Sequence, residues 1–125
     1  MRIFIACADE RLRLALLMLL DHEPGMVVVG LSDRLPGLLA QLHGSQPDVL
    51  LLDWELSDQP MTDLLTDVHN LERRPETIVL STRPQEKAAI MAAGAHYLIC
   101  KDAPPEKLLP VLNEIRLSQI KNNHQ

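Results

Sequence analysis

The chain predicts an α/β domain built on a doubly wound parallel sheet, and three observations carry that reading. Short apolar runs alternate with segments of helical periodicity, five of each, which implies right-handed βαβ crossovers and a parallel sheet with helices on both faces. One run, Val49 to Leu52 in "PDVLLLDWELSD", is continuously apolar, as a strand covered on both faces should be. It ends on Asp53, at the carboxyl edge of the sheet, where ligands collect in open α/β folds. A length of 125 residues suits one domain with a single sizeable core.

The elements follow in order. "RIFIACA" (Arg2 to Ala8) reads as the first strand, and "DERLRLALLMLLDHEPG" as a helix with acids in its first turn and a Pro-Gly stop. "MVVVG" (Met26 to Gly30) is the second strand, and Ser32 or Asp33 is placed to cap "RLPGLLAQLHG", which stops on Gly44. "DVLLLD" is the third strand. In "TDLLTDVHNLERR" the residues Leu64, Leu65, Val68 and Leu71 have helical spacing. "TIVLS" is the fourth strand, "PQEKAAIMAAG" a short helix from Pro84 to Gly94, and "HYLICK" the fifth strand. "PPEKLLPVLNEIRLSQI" closes the domain as a helix that Pro110 should kink or delay. The folded domain is expected over residues 1–120, with "KNNHQ" (121–125) as a flexible tail. No repeat or low-complexity linker divides it.

For five strands the flavodoxin-like order 2-1-3-4-5 is the usual solution. Its switch point lies between strands 1 and 3. Asp9 and Glu10 after strand 1, Asp53 after strand 3, Ser81 after strand 4 and Lys101 after strand 5 are then expected around one crevice. An aspartate, a hydroxyl and a lysine in that arrangement suit a phosphoryl group: the carboxylate can attack phosphorus, the ammonium neutralises one oxygen, and the hydroxyl donates to another.

Composition excludes several alternatives. With 12 basic against 17 acidic residues the net charge is -5, and no Lys/Arg block or aromatic-basic interleaving marks a nucleic-acid surface. "LALLMLL" is far shorter than a membrane span, and no signal peptide opens the chain. Cys7 and Cys100 lie in apolar runs, as reduced buried thiols of a cytoplasmic protein would. The scattered histidines show no zinc-ligand spacing. No Gly-rich loop follows strand 1 to cradle a nucleotide or flavin phosphate.

In this order and spacing, "PDVLLLDWEL", "TIVLS" and "AGAHYLICKDAPPEKL" resemble the receiver domain of bacterial two-component response regulators, along essentially the whole chain. "LLDHEPGMVVVG" is most similar to receivers that precede a helix-turn-helix output domain. The resemblance implies Asp53 as phosphoacceptor, Lys101 as the lysine contacting the phosphoryl group, and Ser81 as the hydroxyl that moves toward it on activation. It implies a histidine kinase or phosphotransfer protein as donor and an output domain or effector as target. Activation would switch the surface formed by helix 4, strand 5 and helix 5, and the role is signalling rather than enzymatic. It also implies Mg²⁺ held by Asp53, by the backbone carbonyl of Glu55 and by two adjacent acids at the end of strand 1.

Here the sequence departs from the family. Cys7 and Ala8 occupy the two acidic places, and neither is a Mg²⁺ ligand. Asp9 lies one residue later and reaches the ion only if the strand end shifts or bulges. Ser57, Asp58 and Met61 stand in a loop that usually carries Pro and Gly. Leu98 replaces the usual aromatic, with Tyr97 displaced by one, and Asp102 follows the lysine in place of Pro. Two readings result: a receiver with weakened Mg²⁺ dependence, or a pseudo-receiver serving as a phosphorylation-independent interaction module. In helix 1 a stripe of Leu12, Leu16, Leu19 and Leu20 is widened by Leu14, Leu17 and Met18. That surplus predicts either a homodimer face or packing against the last helix.

Overall fold

In the computed structural model, which describes residues 1–123, β3 (Val49–Asp53) is the centre of the sheet and all five of its residues are buried. Successive strand residues point to opposite faces, so an uninterrupted apolar run feeds two cores at once. Around β3 stand β1 (Arg2–Ala6), β2 (Val27–Ser32), β4 (Glu76–Ser81) and β5 (Tyr97–Cys100). The sheet order is β2-β1-β3-β4-β5, and every neighbouring pair is parallel. This is the flavodoxin-like doubly wound fold.

Helices cover both faces. On one, α1 (Glu10–Asp21) and α5 (Leu108–Asn123) place Leu16, Leu20, Leu108, Leu112 and Ile115 against Ile3, Ile5, Leu51 and Ile78. On the other, α2 (Leu38–Ser45) and α3 (Thr62–His69) bring Leu38, Leu42, Leu65 and Val68 onto Phe4, Leu50 and Leu52. The short α4 (Lys87–Ala92) covers Val79 with Ile90. No helix among the described residues is long and apolar enough to cross a membrane.

Several boundaries differ from the sequence expectation, each for a local reason. β1 ends at Ala6, and Cys7 keeps only one more rung, donating its amide to Ser32 O at 2.9 Å. β2 starts one residue later and ends two later than "MVVVG", with a register shift opposite Ile3 and Phe4. Neither Ser32 nor Asp33 caps α2. The Ser32 hydroxyl closes a turn on Arg34, donating to its carbonyl at 2.9 Å and accepting from its amide at 3.3 Å. The helix starts four residues later than expected, behind Gly37, whose φ of 81° a side chain would resist. α3 stops at His69 instead of running to Arg74: its last turn tightens, with the Asn70 amide shared between Thr66 O at 3.1 Å and Asp67 O at 3.2 Å and the Leu71 amide donating to Val68 O at 3.2 Å. Pro110 lies in the first turn of α5, where no intrahelical amide is required, and a 3₁₀ turn over Pro105–Lys107 precedes it. Delay, of the two expected effects, is the one observed. α5 is helical through Asn123, so the expected tail is helical at 121–123, and His124 and Gln125 lie outside the described residues.

Gly30 shows how tightly the β1–β2 edge is packed: a Cβ there would lie 2.4 Å from a ring carbon of Phe4. Phe4 is 2% exposed and has nowhere to retreat. Gly30→Ala should therefore destabilise the fold by about 1–3 kcal/mol, as overpacking does. The check is a lower urea midpoint at unchanged slope.

Candidate functional site

β3 ends at Asp53, β4 at Ser81 and β5 at Cys100, and the register Asp53 to Leu80 and Ser81 to Cys100 sets these ends side by side. Lys101 follows directly, its amide donating to Ser81 O at 3.0 Å. Asp53 is fully buried, an expensive place for a carboxylate unless hydrogen bonds and a countercharge compensate. Both are supplied. Oδ1 accepts from Glu55 N at 2.9 Å and from Lys101 Nζ at 2.9 Å, and Oδ2 accepts from Ala8 N at 3.1 Å.

The lysine is 14% exposed. Burial alone would lower its pKa, but the hydrogen bond and charge of Asp53, followed by the charge of Glu55, outweigh it. Lys101 is held above the ordinary lysine value and carries its full charge at neutral pH.

The strand-1 side is different. Cys7 is 1% exposed. Burial, and after it the Asp53 charge, push the thiol up to about 11, so it faces the carboxylate as a neutral group. Its Sγ donates to Asp9 O at 3.6 Å. Ala8 contributes only its amide. The Asp9 carboxylate caps α1, accepting from Arg11 N at 2.9 Å and Leu12 N at 3.2 Å, which completes orphan donors of the first turn. Glu10 is the exposed first residue of that helix. The expected site residues thus divide: Asp53 and Lys101 meet directly, Ser81 stands beside them with Oγ accepting from Arg83 N at 3.0 Å, and Asp9 is engaged by its own helix.

Glu55 does more than sequence reasoning assigned to it. Its Oε1 accepts from Thr82 N at 3.0 Å and Thr82 Oγ1 at 2.7 Å, tying the loop after β3 to the loop after β4. Its Oε2 is buried without a partner among the described residues. Thr82 and the Ala8 amide were not among the expected site groups. An acid two residues after Asp53 and a hydroxyl directly after Ser81 were the available signals, but only the fold pairs them.

These groups fit Mg²⁺ poorly. The ion wants several oxygen ligands and relies on carboxylate charge, whereas a protonated thiol stands beside Asp53, Lys101 occupies Oδ1 and the Asp9 carboxylate is spent on its helix. Among the described residues no cluster of three His, Cys, Asp or Glu side chains could hold a metal.

Fold and rim together define a class of doubly wound α/β domains in which a buried β3 aspartate meets the lysine that follows β5. The response regulator receiver domain profile matches residues 3–113, and the chain belongs to that family. Receiver domains are signalling modules of two-component systems, served by histidine kinases and coupled to output domains, rather than classical enzymes; they typically use Mg²⁺ for phosphorylation. Among curated proteins, the DNA-binding transcriptional activator DevR/DosR of Mycobacterium tuberculosis is 27% identical over 118 residues, covering 91% of this chain. The match takes in 54% of that protein, so this chain spans about half of its relative's length. Among solved structures, a CheY-like receiver domain protein from Methanospirillum hungatei is 25% identical at a TM-score of 0.82, covering 97% of both chains. The response regulatory domain of mrkE from Klebsiella pneumoniae superposes at 0.84 with 16% identity, over 97% of this chain and 99% of that one.

Proposed function

We propose that this domain accepts a phosphoryl group on Asp53 from a histidine kinase or phosphotransfer protein in the cytoplasm, with weakened dependence on Mg²⁺. The observation carrying this reading is the buried carboxylate, which has two backbone amides and one lysine ammonium around it. An Asp53 oxygen attacks the phosphorus of a phosphohistidine, the P–N bond breaks, and the imidazole leaves as the acyl phosphate forms. Lys101 Nζ transfers its hydrogen bond from the carboxylate to a phosphoryl oxygen and neutralises charge there. Ser81 gives up its bond from Arg83 N and turns its hydroxyl to a second oxygen. Because Glu55 ties Thr82 to the loop after β3, the shift of Ser81 passes to α4 and to the surface of α4, β5 and α5 that meets an output domain or effector.

A second reading rests on Cys7 and on the capping role of Asp9: a pseudo-receiver that binds partners without phosphorylation. Incubation with acetyl phosphate and Mg²⁺ distinguishes the two. The expected result is a gain of one phosphoryl mass, slow relative to receivers with both strand-1 acids and absent in Asp53→Asn. No mass gain from acetyl phosphate or from a phosphorylated histidine donor would leave the pseudo-receiver reading.

A further inference from the structure

α1 carries apolar surface that its own fold leaves open. Leu16 and Leu20 face the core, but Leu14 is 50% and Met18 64% exposed. α5 packs on the same face of the sheet through Leu108, Leu112 and Ile115 without covering them. Arg11, Leu14, Met18 and Asp21 follow one another at intervals of three, four and three, which is one stripe along a helix, and all four are exposed. Among the described residues neither Arg11 nor Asp21 has an ion-pair partner. Arg13, by contrast, is committed inside the chain, donating to Cys7 O at 2.8 Å.

The stripe is complementary to itself. Turned end for end about the level midway between Leu14 and Met18, it sets Leu14 on Met18 and Arg11 on Asp21. A two-fold axis repeats each contact, as an isologous interface requires. We propose that this face binds a second copy of the chain, with α1 antiparallel to α1 of its partner, two Leu14–Met18 contacts at the centre and two Arg11–Asp21 pairs at the ends. The apolar contacts supply affinity, while the exposed charge pairs set register and orientation. A contact along one helix of 12 residues, about 18 Å long, is at the small end of specific interfaces, so the dimer is reversible. Nothing in it requires phosphorylation of Asp53.

Charge reversal tests the pairing. Both Arg11→Glu and Asp21→Arg put charge where the helix dipole favours it, acid at the N-terminus and base at the C-terminus, so neither weakens α1. Far-UV circular dichroism of each variant checks that. In sedimentation velocity across a concentration series at low salt, the unaltered chain should show a reversible monomer–dimer equilibrium. Each single reversal should raise the dissociation constant roughly tenfold by placing like charges opposite one another, and the double reversal should restore it. Met18→Glu should abolish the dimer. A chain that stays monomeric at millimolar concentration, single reversals without effect, or a double reversal that fails to restore association would each overturn the proposal. So would dimers insensitive to α1 but dissociated by Leu117→Glu, which would move the interface to the exposed Leu117 and Ile120 of α5.

Discussion

Replacing Lys101 by Met should lower the unfolding free energy by about 3 kcal/mol, near the bottom of the range for breaking a buried ion pair. The charge left behind is the reason. Asp53 is 1% exposed in its side chain and, among the described residues, would lose its only countercharge at hydrogen-bond distance, keeping just the Ala8 and Glu55 amides. Those two donors are why the low end of the range applies. Asp53→Asn combined with Lys101→Met removes both charges and should recover much of the loss, so a double-mutant cycle should return a favourable coupling. The pH dependence has a definite sign. Because Lys101 is raised above its ordinary value, its stabilisation is complete below the normal lysine range and is lost as pH rises through the folded-state value. The gap between wild type and Lys101→Met should therefore close at strongly alkaline pH. Urea titrations at neutral and alkaline pH make the comparison. Equal midpoints at neutral pH would mean that the two amides alone satisfy the carboxylate.

The double substitution Cys7→Asp, Ala8→Asp should convert the domain from nearly indifferent to Mg²⁺ to dependent on it. Without the ion, an acid at the 1% exposed Cys7 position faces the Asp53 charge, with Lys101 already engaged. A loss of about 3 kcal/mol is expected from a buried, uncompensated charge. Bound Mg²⁺ offsets it by mass action, contributing about 2.7 kcal/mol when the ion is at a hundred times its dissociation constant. Thermal melting with and without Mg²⁺ should show a shift of several degrees in the variant and almost none in the natural chain. Trp54, directly after Asp53 and half-buried, provides a fluorescence reading of the same titration, and phosphorylation of the variant should be faster. Saturable Mg²⁺ binding by the unaltered chain, lost in Asp9→Ala, would instead show that Asp9 leaves its cap to hold the ion.

The sequence by itself determined the sheet and the residues at its rim. A strand buried on both faces must be apolar at every position, so "VLLL" could be read without any partner in view, and the polar residue ending such a run lies at the rim. Asp53, Ser81 and Lys101 were legible for that reason. The strand order was expected as the usual solution for five strands joined by right-handed crossovers, and it is the order observed. What the sequence left open depended on competition between two uses of one group. Asp9 could cap a helix or turn toward a metal, and only the position of the α1 first turn against the end of β1 decided for the cap. Glu55 could contribute a backbone carbonyl, but its carboxylate spans to Thr82, 27 residues away, through a contact that no local pattern encodes. The surplus width of α1 could pack inside or lie open, and it was settled by how much of the helix α5 covers, which leaves Leu14 and Met18 in solvent. Burial patterns are written along the chain because the period of an element fixes which of its residues share a face, whereas hydrogen-bond partners and the fate of a surplus face depend on which elements pack side by side.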